Sequence, residues 1–342
     1  MRILKYLGRR LMFIIPQLLG VFVLTFFAAR AIPGDPARIM AGSLISEEGL
    51  EAVRDRMGLS GTYWEQFVRY VKNILHGDLG NSWVTGNAVL DDIKQRLPAT
   101  LQLIILALII VLLIMVPIAL KSMNSSKTVG ARISQKALTG YGMAAGAFPD
   151  FWLALILIFA FYASWHITPS PVGQASLTIG TPQVITGFTI IDAILTANWK
   201  SLGTVLSHLV LPVVTLAFVY GGGIVKITVN SAGEFQKSNF INYARISGMS
   251  NKKVNQYVKR ASYPPIATMT AVVFGFLIGG AVLIEQVFSW GGFGQYAVSA
   301  IINSDFNAIQ GVVLVIAVLN LLAYIIVDII YMVVDPRITN VG

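Results

Sequence analysis

The stretch SNFINYARISGMSNKKVNQYVKRASY (Ser238–Tyr263) lies between two long apolar runs, Leu209–Val225 and Pro264–Ile284, and it decides the fold class. The stretch is polar and basic, and its composition is compatible with helix. Each flanking run is close to the ~20 residues that a helix needs to cross ~30 Å of hydrocarbon. The pattern predicts two membrane-spanning helices joined by a structured polar segment, and such a segment is a candidate docking surface for a soluble partner.

The composition of the whole chain is that of a membrane protein. Hydrophobic residues occupy 55% of the 342 positions and charged residues 12%, with a mean hydropathy of +0.71, whereas soluble domains carry roughly 25% charged residues. The sequence contains no cysteine, which excludes disulfides and thiolate metal sites. The net charge of +9 is explained by basic loops on one side of a membrane, so nucleic-acid binding is not predicted.

We predict an all-α polytopic membrane protein with six transmembrane helices. Backbone amides in lipid must be hydrogen-bonded internally, and the alternating pattern of membrane strands is absent from the apolar runs. The six predicted spans are Leu11–Ala29, Leu97–Leu120, a span within Ala137–Trp165, a span around Val205–Val225, Pro264–Ile284 and Phe306–Val334.

The distribution of Lys and Arg predicts the orientation. Segments 1–10, 121–136 and 226–263 are rich in basic residues, whereas 32–96 and 166–204 are balanced or nearly uncharged. Basic segments stay on the cytoplasmic side, so both termini are predicted to be cytoplasmic. The predicted organisation is a cytoplasmic N-terminus with the first helix (1–31), an extracytoplasmic insert (32–96), and a core with five spans (97–342) that includes the cytoplasmic loop 226–263 and a short outer helix (290–304).

Two local patterns refine this organisation. The N-terminal run followed by Ala29-Arg30-Ala31 resembles a secretory signal, but its length of 19 residues and the Arg within the cleavage site favour a membrane anchor. In the insert, Ser46–Arg56 and Tyr63–Leu75 have helical signals, which predicts a small folded cap rather than a catalytic domain.

Six stretches, taken in order, resemble a single family. The stretches are RMGLS (Arg56–Ser60), HGDLGNSW (His76–Trp83), RLPATLQL (Arg96–Leu103), YARISGM (Tyr243–Met249), WGGFGQYAVSAI (Trp290–Ile301) and VDPRI (Val334–Ile338). With these stretches, the chain is similar to the B-type permease subunit of the dipeptide, oligopeptide and nickel group of ABC importers, which are binding-protein-dependent transport systems of the inner membrane. The resemblance covers almost the whole chain.

The resemblance implies a type I ABC importer fold and a heteromeric complex. This chain would work with a second homologous permease subunit, two ABC ATPase subunits and an extracytoplasmic substrate-binding protein, in contact with membrane lipid. ATP and magnesium would bind to the ATPase subunits, and this chain would hold no cofactor. The implied function is translocation of di- or oligopeptides by alternating access. Import of oligosaccharides or nickel is the alternative, and a gated channel or a membrane-embedded enzyme is disfavoured.

The resemblance also assigns residues to coupling and docking. The short glycine-rich stretch after the fifth span would help to dock the binding protein through Gly291, Gly292, Phe293 and Gly294. The residues implied in ATPase coupling are Asn242, Tyr243, Ala244, Arg245, Ile246, Ser247, Gly248 and Met249. ABC importers often have Glu and Ala at the positions of Asn242 and Tyr243. Independently of the family, a glycine at 248 permits a tight turn.

Two acidic residues are candidates for the translocation path, because an ionisable group inside a span is costly to bury. Asp150 follows Pro149 within the third predicted span, where the family more often has serine, so a structural role is the alternative. Glu285 ends the fifth predicted span. The three histidines are not at ligand spacing, and neither a catalytic nor a metal site is predicted.

Overall fold

The computed structural model describes residues 2–31, 35–42, 45–124 and 129–334. Within these ranges every regular element is a helix, which confirms the all-α prediction. The VDPRI stretch beyond Val334 and positions 125–128 of the basic segment 121–136 lie outside the described residues.

The helices follow one another along the chain, and the longest described connection between them is 165–188. Several are continued by irregular helical turns: π-helical segments at Val111–Met115 and Ile158–Ser164, and a 3₁₀ turn at Ala145–Ala147. The α-helices are α1 (Arg2–Ala31), α2 (Pro36–Ala41), α3 (Glu47–Arg56), α4 (Tyr63–Leu75), α5 (Val89–Ile110), α6 (Val116–Asn124), α7 (Val129–Ala144), α8 (Asp150–Leu157), α9 (Thr189–Leu195), α10 (Trp199–Gln236), α11 (Asn239–Ile246), α12 (Asn251–Val287), α13 (Phe293–Ile302) and α14 (Phe306–Val334).

The described helices make this a multi-pass membrane protein. Four of them are long and apolar enough to span a bilayer: Val89–Met123, Trp199–Gln236, Asn251–Val287 and Phe306–Ile330. The pair Ile133–Ala147 and Asp150–Ser164 is bent by 104° and would be a fifth span if it crosses as one unit. The first predicted span corresponds to a shorter apolar helix, Ile15–Ala31. The count of six therefore stays a prediction.

The helices extend well beyond the apolar runs that predict them. In the predicted loop 226–263, only 237–238 and 247–250 are non-helical, because α10 continues to Gln236 and α12 begins at Asn251. A change to polar composition predicts where a helix leaves the hydrocarbon. It does not predict where the helix ends, because a helix can continue into water. Pro264 and Pro265, at the start of the predicted fifth span, lie inside α12.

One compact unit comprises residues 1–98 and 291–321, and its helices α3 and α4 agree with the two predicted in the insert. Thr62 and Glu65 form a capping box that fixes the start of α4. The buried carboxylate of Asp305 accepts hydrogen bonds from Ser82 Oγ (2.6 Å) and from the backbone N–H of Trp83 (2.8 Å). The core of the unit contains Val89, Ile93, Phe293, Tyr296 and Phe306.

The second unit comprises residues 99–290 and 322–342, and α10 is its central helix. Three consecutive glycines allow three neighbours to approach α10 at one level. A Cβ on Gly221 would lie 2.8 Å from Val111 Cγ2, one on Gly222 would lie 2.5 Å from Ala145 Cβ, and one on Gly223 would lie 2.8 Å from Met269 Cε. These contacts come from three different elements, so the run Gly221–Gly223 is a packing site.

Candidate functional site

Helix α11 joins the two longest helices and has one face buried within this chain. Ile241 is fully buried and Ala244 is 4% exposed, and their spacing of three places them on the same side of the helix. Asn242 and Arg245 are exposed. The buried pair therefore fixes α11 on the second unit, since α11 contacts α10 and α12.

The opposite side of α11 is also apolar, but it is exposed. Tyr243 is 73% exposed and Ile246 is 86% exposed, and Phe240 and Met249 beside them are also exposed. A helix with two apolar faces is expected to bury both, because large exposed apolar patches mark interaction surfaces. We call these four residues, Phe240, Tyr243, Ile246 and Met249, the outer face of α11.

Gly248 ends α11 in a Schellman turn. Its φ is +74°, in the left-handed region that favours glycine. The Met249 N–H donates to the Ala244 carbonyl (3.1 Å) and the Gly248 N–H donates to the Arg245 carbonyl (3.1 Å), which is the hydrogen-bond pattern of this motif. Apart from its two chain neighbours, no described residue has an atom within 4 Å of the position a Cβ would take, so the requirement for glycine is conformational. The structure thus agrees with the tight turn predicted there.

The surroundings of α11 are positively charged. Lys237, Lys252 and Lys253 are exposed on either side of it, together with Arg245. Arg245 Nη1 donates to the Gln236 carbonyl at the end of α10 (3.4 Å) and forms no salt bridge with a described carboxylate. The guanidinium remains available to acidic groups of another protein.

Asp150 is the first residue of α8 and lies where the bent pair breaks. It is 7% exposed. Its Oδ1 accepts from the Phe151 N–H (2.7 Å), and its Oδ2 accepts from the Tyr220 hydroxyl (2.9 Å). Any Cβ on Gly280 would collide with that hydroxyl. Asp150 thereby connects α8 to α10 where α10 approaches α12. Tyr220 was not predicted, since a tyrosine within an apolar run carries no signal of its partner.

Glu285, the other predicted path residue, is fully buried within this chain. It lies near the end of α12, and its carboxylate accepts a hydrogen bond from Thr100 Oγ1. Different helices carry the two predicted path residues: Asp150 lies on α8, and Glu285 lies on α12. A buried carboxylate is stabilised only by hydrogen-bond or charge partners.

Of the four predicted docking residues, only Gly291 is exposed. It turns the chain with a φ of +73°, and α13 begins two residues later. Gly292, Phe293 and Gly294 are buried in the first unit. Among the described residues, no group of three or more His, Asp or Glu side chains is arranged to hold a metal ion.

The chain matches two related families over most of its length. Residues 123–340 match the binding-protein-dependent transport system inner membrane component family, and residues 3–104 match the N-terminal family of the same membrane components. Both matches agree with the all-helical architecture.

Three similar proteins are full-length matches. The probable D,D-dipeptide transport system permease protein of Escherichia coli K12 is 36% identical over 94% of both chains. The dipeptide permease protein of that strain is 33% identical over 98% of this chain and 99% of its own. The oligopeptide permease protein of Bacillus subtilis 168 is 31% identical, covering 97% and 98%. This chain therefore belongs to the binding-protein-dependent transport system inner membrane component family, and it is a permease subunit of the type I fold rather than an enzyme.

Proposed function

We propose that this chain is a permease subunit of an ATP-driven importer that moves di- or oligopeptides. It would act with a second homologous permease subunit, an extracytoplasmic binding protein, and two ATPase subunits that bind ATP and magnesium. The names of the similar proteins support peptides over oligosaccharides or nickel. The observation that carries the proposal is the outer face of α11, an exposed apolar surface on a helix already anchored by Ile241 and Ala244.

The proposed coupling step is a rigid-body displacement. When the ATPase subunits close, a groove holding the outer face moves α11, and α11 moves α10 and α12 because it is joined to both by short turns. The residues assigned to this contact are Asn242–Met249. Within that range Ala244 is 4% exposed, so it fixes the helix rather than meeting the partner.

We assign Asp150 to the translocation path and Glu285 to packing. Asp150 accepts hydrogen bonds at a break between helices, where its carboxylate could meet a peptide ammonium as the helices separate. The complete burial of Glu285 favours a structural contact with Thr100 over contact with cargo. The binding protein would dock on the insert 32–96 and on the exposed turn at Gly291.

Reconstituted transport tests the proposal. The complex of this chain with its partner subunits is placed in liposomes with the binding protein, and uptake of a labelled dipeptide is measured with ATP on the ATPase side. We expect uptake that requires both ATP and the binding protein, and that stops with a non-hydrolysable ATP analogue. Uptake without ATP would indicate a channel, and uptake of nickel or an oligosaccharide in place of peptide would refute the substrate assignment.

Orientation is tested by cysteine labelling, since the chain has no native cysteine. Cysteines placed at Lys72 and Gln183 should react with a membrane-impermeant maleimide in intact cells. Cysteines at Lys136 and Asn251 should react only after permeabilisation, because the charge bias places them inside. All four positions are exposed, so a cysteine that fails to react with the maleimide cannot be explained by burial within the chain. Labelling of Asn251 in intact cells would separate α11 from cytoplasmic ATPases and contradict the coupling role.

A further inference from the structure

Two of the stretches that carry the family resemblance line one cavity in the first unit. Residues from RMGLS and from HGDLGNSW meet around a cavity of about 240 Å³, together with residues of α1, α4 and the beginning of α14. In this measure, the space open to a water-sized sphere, about 10–15 Å³ is enough for one water, so the cavity has room for a larger ligand. The coupling function leaves this cavity unexplained.

The cavity has an excess of positive charge. Arg30, Arg56 and Arg69 line it, and the lining includes one carboxylate, Asp78. Asp78 Oδ1 already accepts from the Gly80 N–H (2.8 Å). Neither Arg30 nor Arg56 forms a salt bridge with a described carboxylate. Planar guanidinium groups bind oxyanions bidentately, so this lining suits an anion.

Arg30 is held in position before any ligand arrives. Its Nε donates to Gln66 Oε1 (2.9 Å), and its guanidinium carbon lies 3.5 Å from the centre of the Phe26 ring. Gln66 is 5% exposed, and its Nε2 donates to the Leu59 carbonyl (2.7 Å). The amide of Gln66 thus ties Arg30 to the loop after α3, and ligand binding would cost little further ordering.

A buried donor in the cavity lacks an acceptor. Gln310 on α14 lines the cavity and is 2% exposed, and its Nε2 has no hydrogen-bond partner among the described residues. A buried donor without an acceptor is unfavourable, because it has lost its hydrogen bonds to water. An oxygen-bearing ligand in the cavity would supply the missing acceptor.

Two apolar helices, α1 and α14, contribute residues near their ends to the cavity. Arg30 is in the last turn of α1, and Gln310 is in the second turn of α14. On α1, Leu19, Val23 and Phe27 are exposed at intervals of four residues, in line with Arg30. Acyl chains against this stripe would place a lipid headgroup beside the guanidinium.

We propose that this cavity binds a phosphate group at the membrane surface, carried by a phospholipid headgroup or present as free phosphate. Guanidinium groups would contact the phosphate oxygens, and Gln310 Nε2 would donate to one of them. The proposal goes beyond peptide transport and does not depend on it.

The test uses the full-length, delipidated chain in detergent and native mass spectrometry. The probes are short-chain phosphatidylglycerol, inorganic phosphate and acetate. We expect Arg56→Gln and Gln310→Leu each to weaken binding of phosphatidylglycerol about tenfold. An effect of this size corresponds to the loss of one charge-assisted or buried hydrogen bond. The exposed Arg56 is included because its replacement leaves the core intact. The matched control is Arg38→Gln, an exposed arginine that pairs with Glu47 (3.0 Å) outside the cavity, and it should bind normally.

The two possible sources of phosphate give different results. Binding of the lipid alone indicates a headgroup site, whereas binding of inorganic phosphate with the same sensitivity to both variants indicates a free-phosphate site. Either result supports the proposal. Binding of neither phosphatidylglycerol nor phosphate, with or without binding of acetate, would overturn it. Unchanged binding in both cavity variants, or an equal loss in Arg38→Gln, would also overturn it.

Discussion

Replacing Ile246 with glutamate is expected to separate this chain from its ATPase subunits and to abolish ATP-dependent uptake. Ile246 is 86% exposed, so the substitution should leave the fold of the chain within about 0.5 kcal/mol of the original stability. In the proposed complex the same side chain is enclosed by the partner. An anchor residue at the centre of an interface typically contributes about 2–4 kcal/mol, which corresponds to roughly 30- to 1,000-fold weaker association.

The measurement is co-purification of the ATPase subunits with the tagged chain, followed by uptake in liposomes. Leu75→Glu is the matched control for co-purification, because Leu75 is 80% exposed and lies at the end of α4, in the insert assigned to the binding protein rather than to the ATPase subunits. The control should retain the ATPase subunits. Ile246→Leu keeps the apolar surface and should also retain them. Normal co-purification and uptake by the glutamate variant would show that the outer face of α11 is not the contact.

The second large effect is expected at Gly222, where even alanine should destabilise the second unit. The added Cβ would stand 2.5 Å from Ala145 Cβ, so the 3₁₀ turn at Ala145–Ala147 or α10 must shift. Overpacking of this kind costs on the order of 1–3 kcal/mol. We expect a lower midpoint of thermal unfolding for the purified variant in detergent.

Gly279→Ala provides the comparison for Gly222→Ala. Gly279 is also inside a long helix, α12. Apart from the adjacent residues and nearby backbone of α12 itself, no described atom lies within 4 Å of the position its Cβ would take. Alanine there should be neutral or stabilise the helix by about 0.5–1 kcal/mol, since glycine is the weaker helix former. If both variants unfold at the same temperature, close packing at Gly222 does not limit stability.

Much of the fold could be predicted from the sequence, because the length of each apolar run can be compared directly with the thickness of the bilayer. The last predicted span, Phe306–Val334, coincides with α14, and Tyr63–Leu75 coincides with α4. Pro149 lies at the 104° bend between Ala147 and Asp150, but the angle of the bend could not be predicted, because it depends on packing against other helices. Helix ends outside the membrane were missed, because hydropathy reports the surroundings of a helix rather than its hydrogen bonds.

The candidate site was predictable where it depends on local sequence. The turn at Gly248 follows from glycine after a helical stretch, and the structure has the left-handed φ expected of it. Burial of Glu285 and of Phe293 was not predictable, because it results from residues distant in sequence. The cavity of the first unit was missed for the same reason: its lining comes from stretches as far apart as Arg30 and Gln310.

The lengths of α10 and α12 have a mechanical consequence. At ~1.5 Å per residue, their 38 and 37 residues give rods of about 57 and 55 Å, nearly twice the ~30 Å of hydrocarbon. Much of each rod therefore stands outside the hydrocarbon, and the two are bridged by α11 through non-helical turns at 237–238 and 247–250. A force applied to α11 acts at the end of two long lever arms. A small tilt about a pivot in the membrane then becomes a displacement at the far ends, without any helix having to unwind.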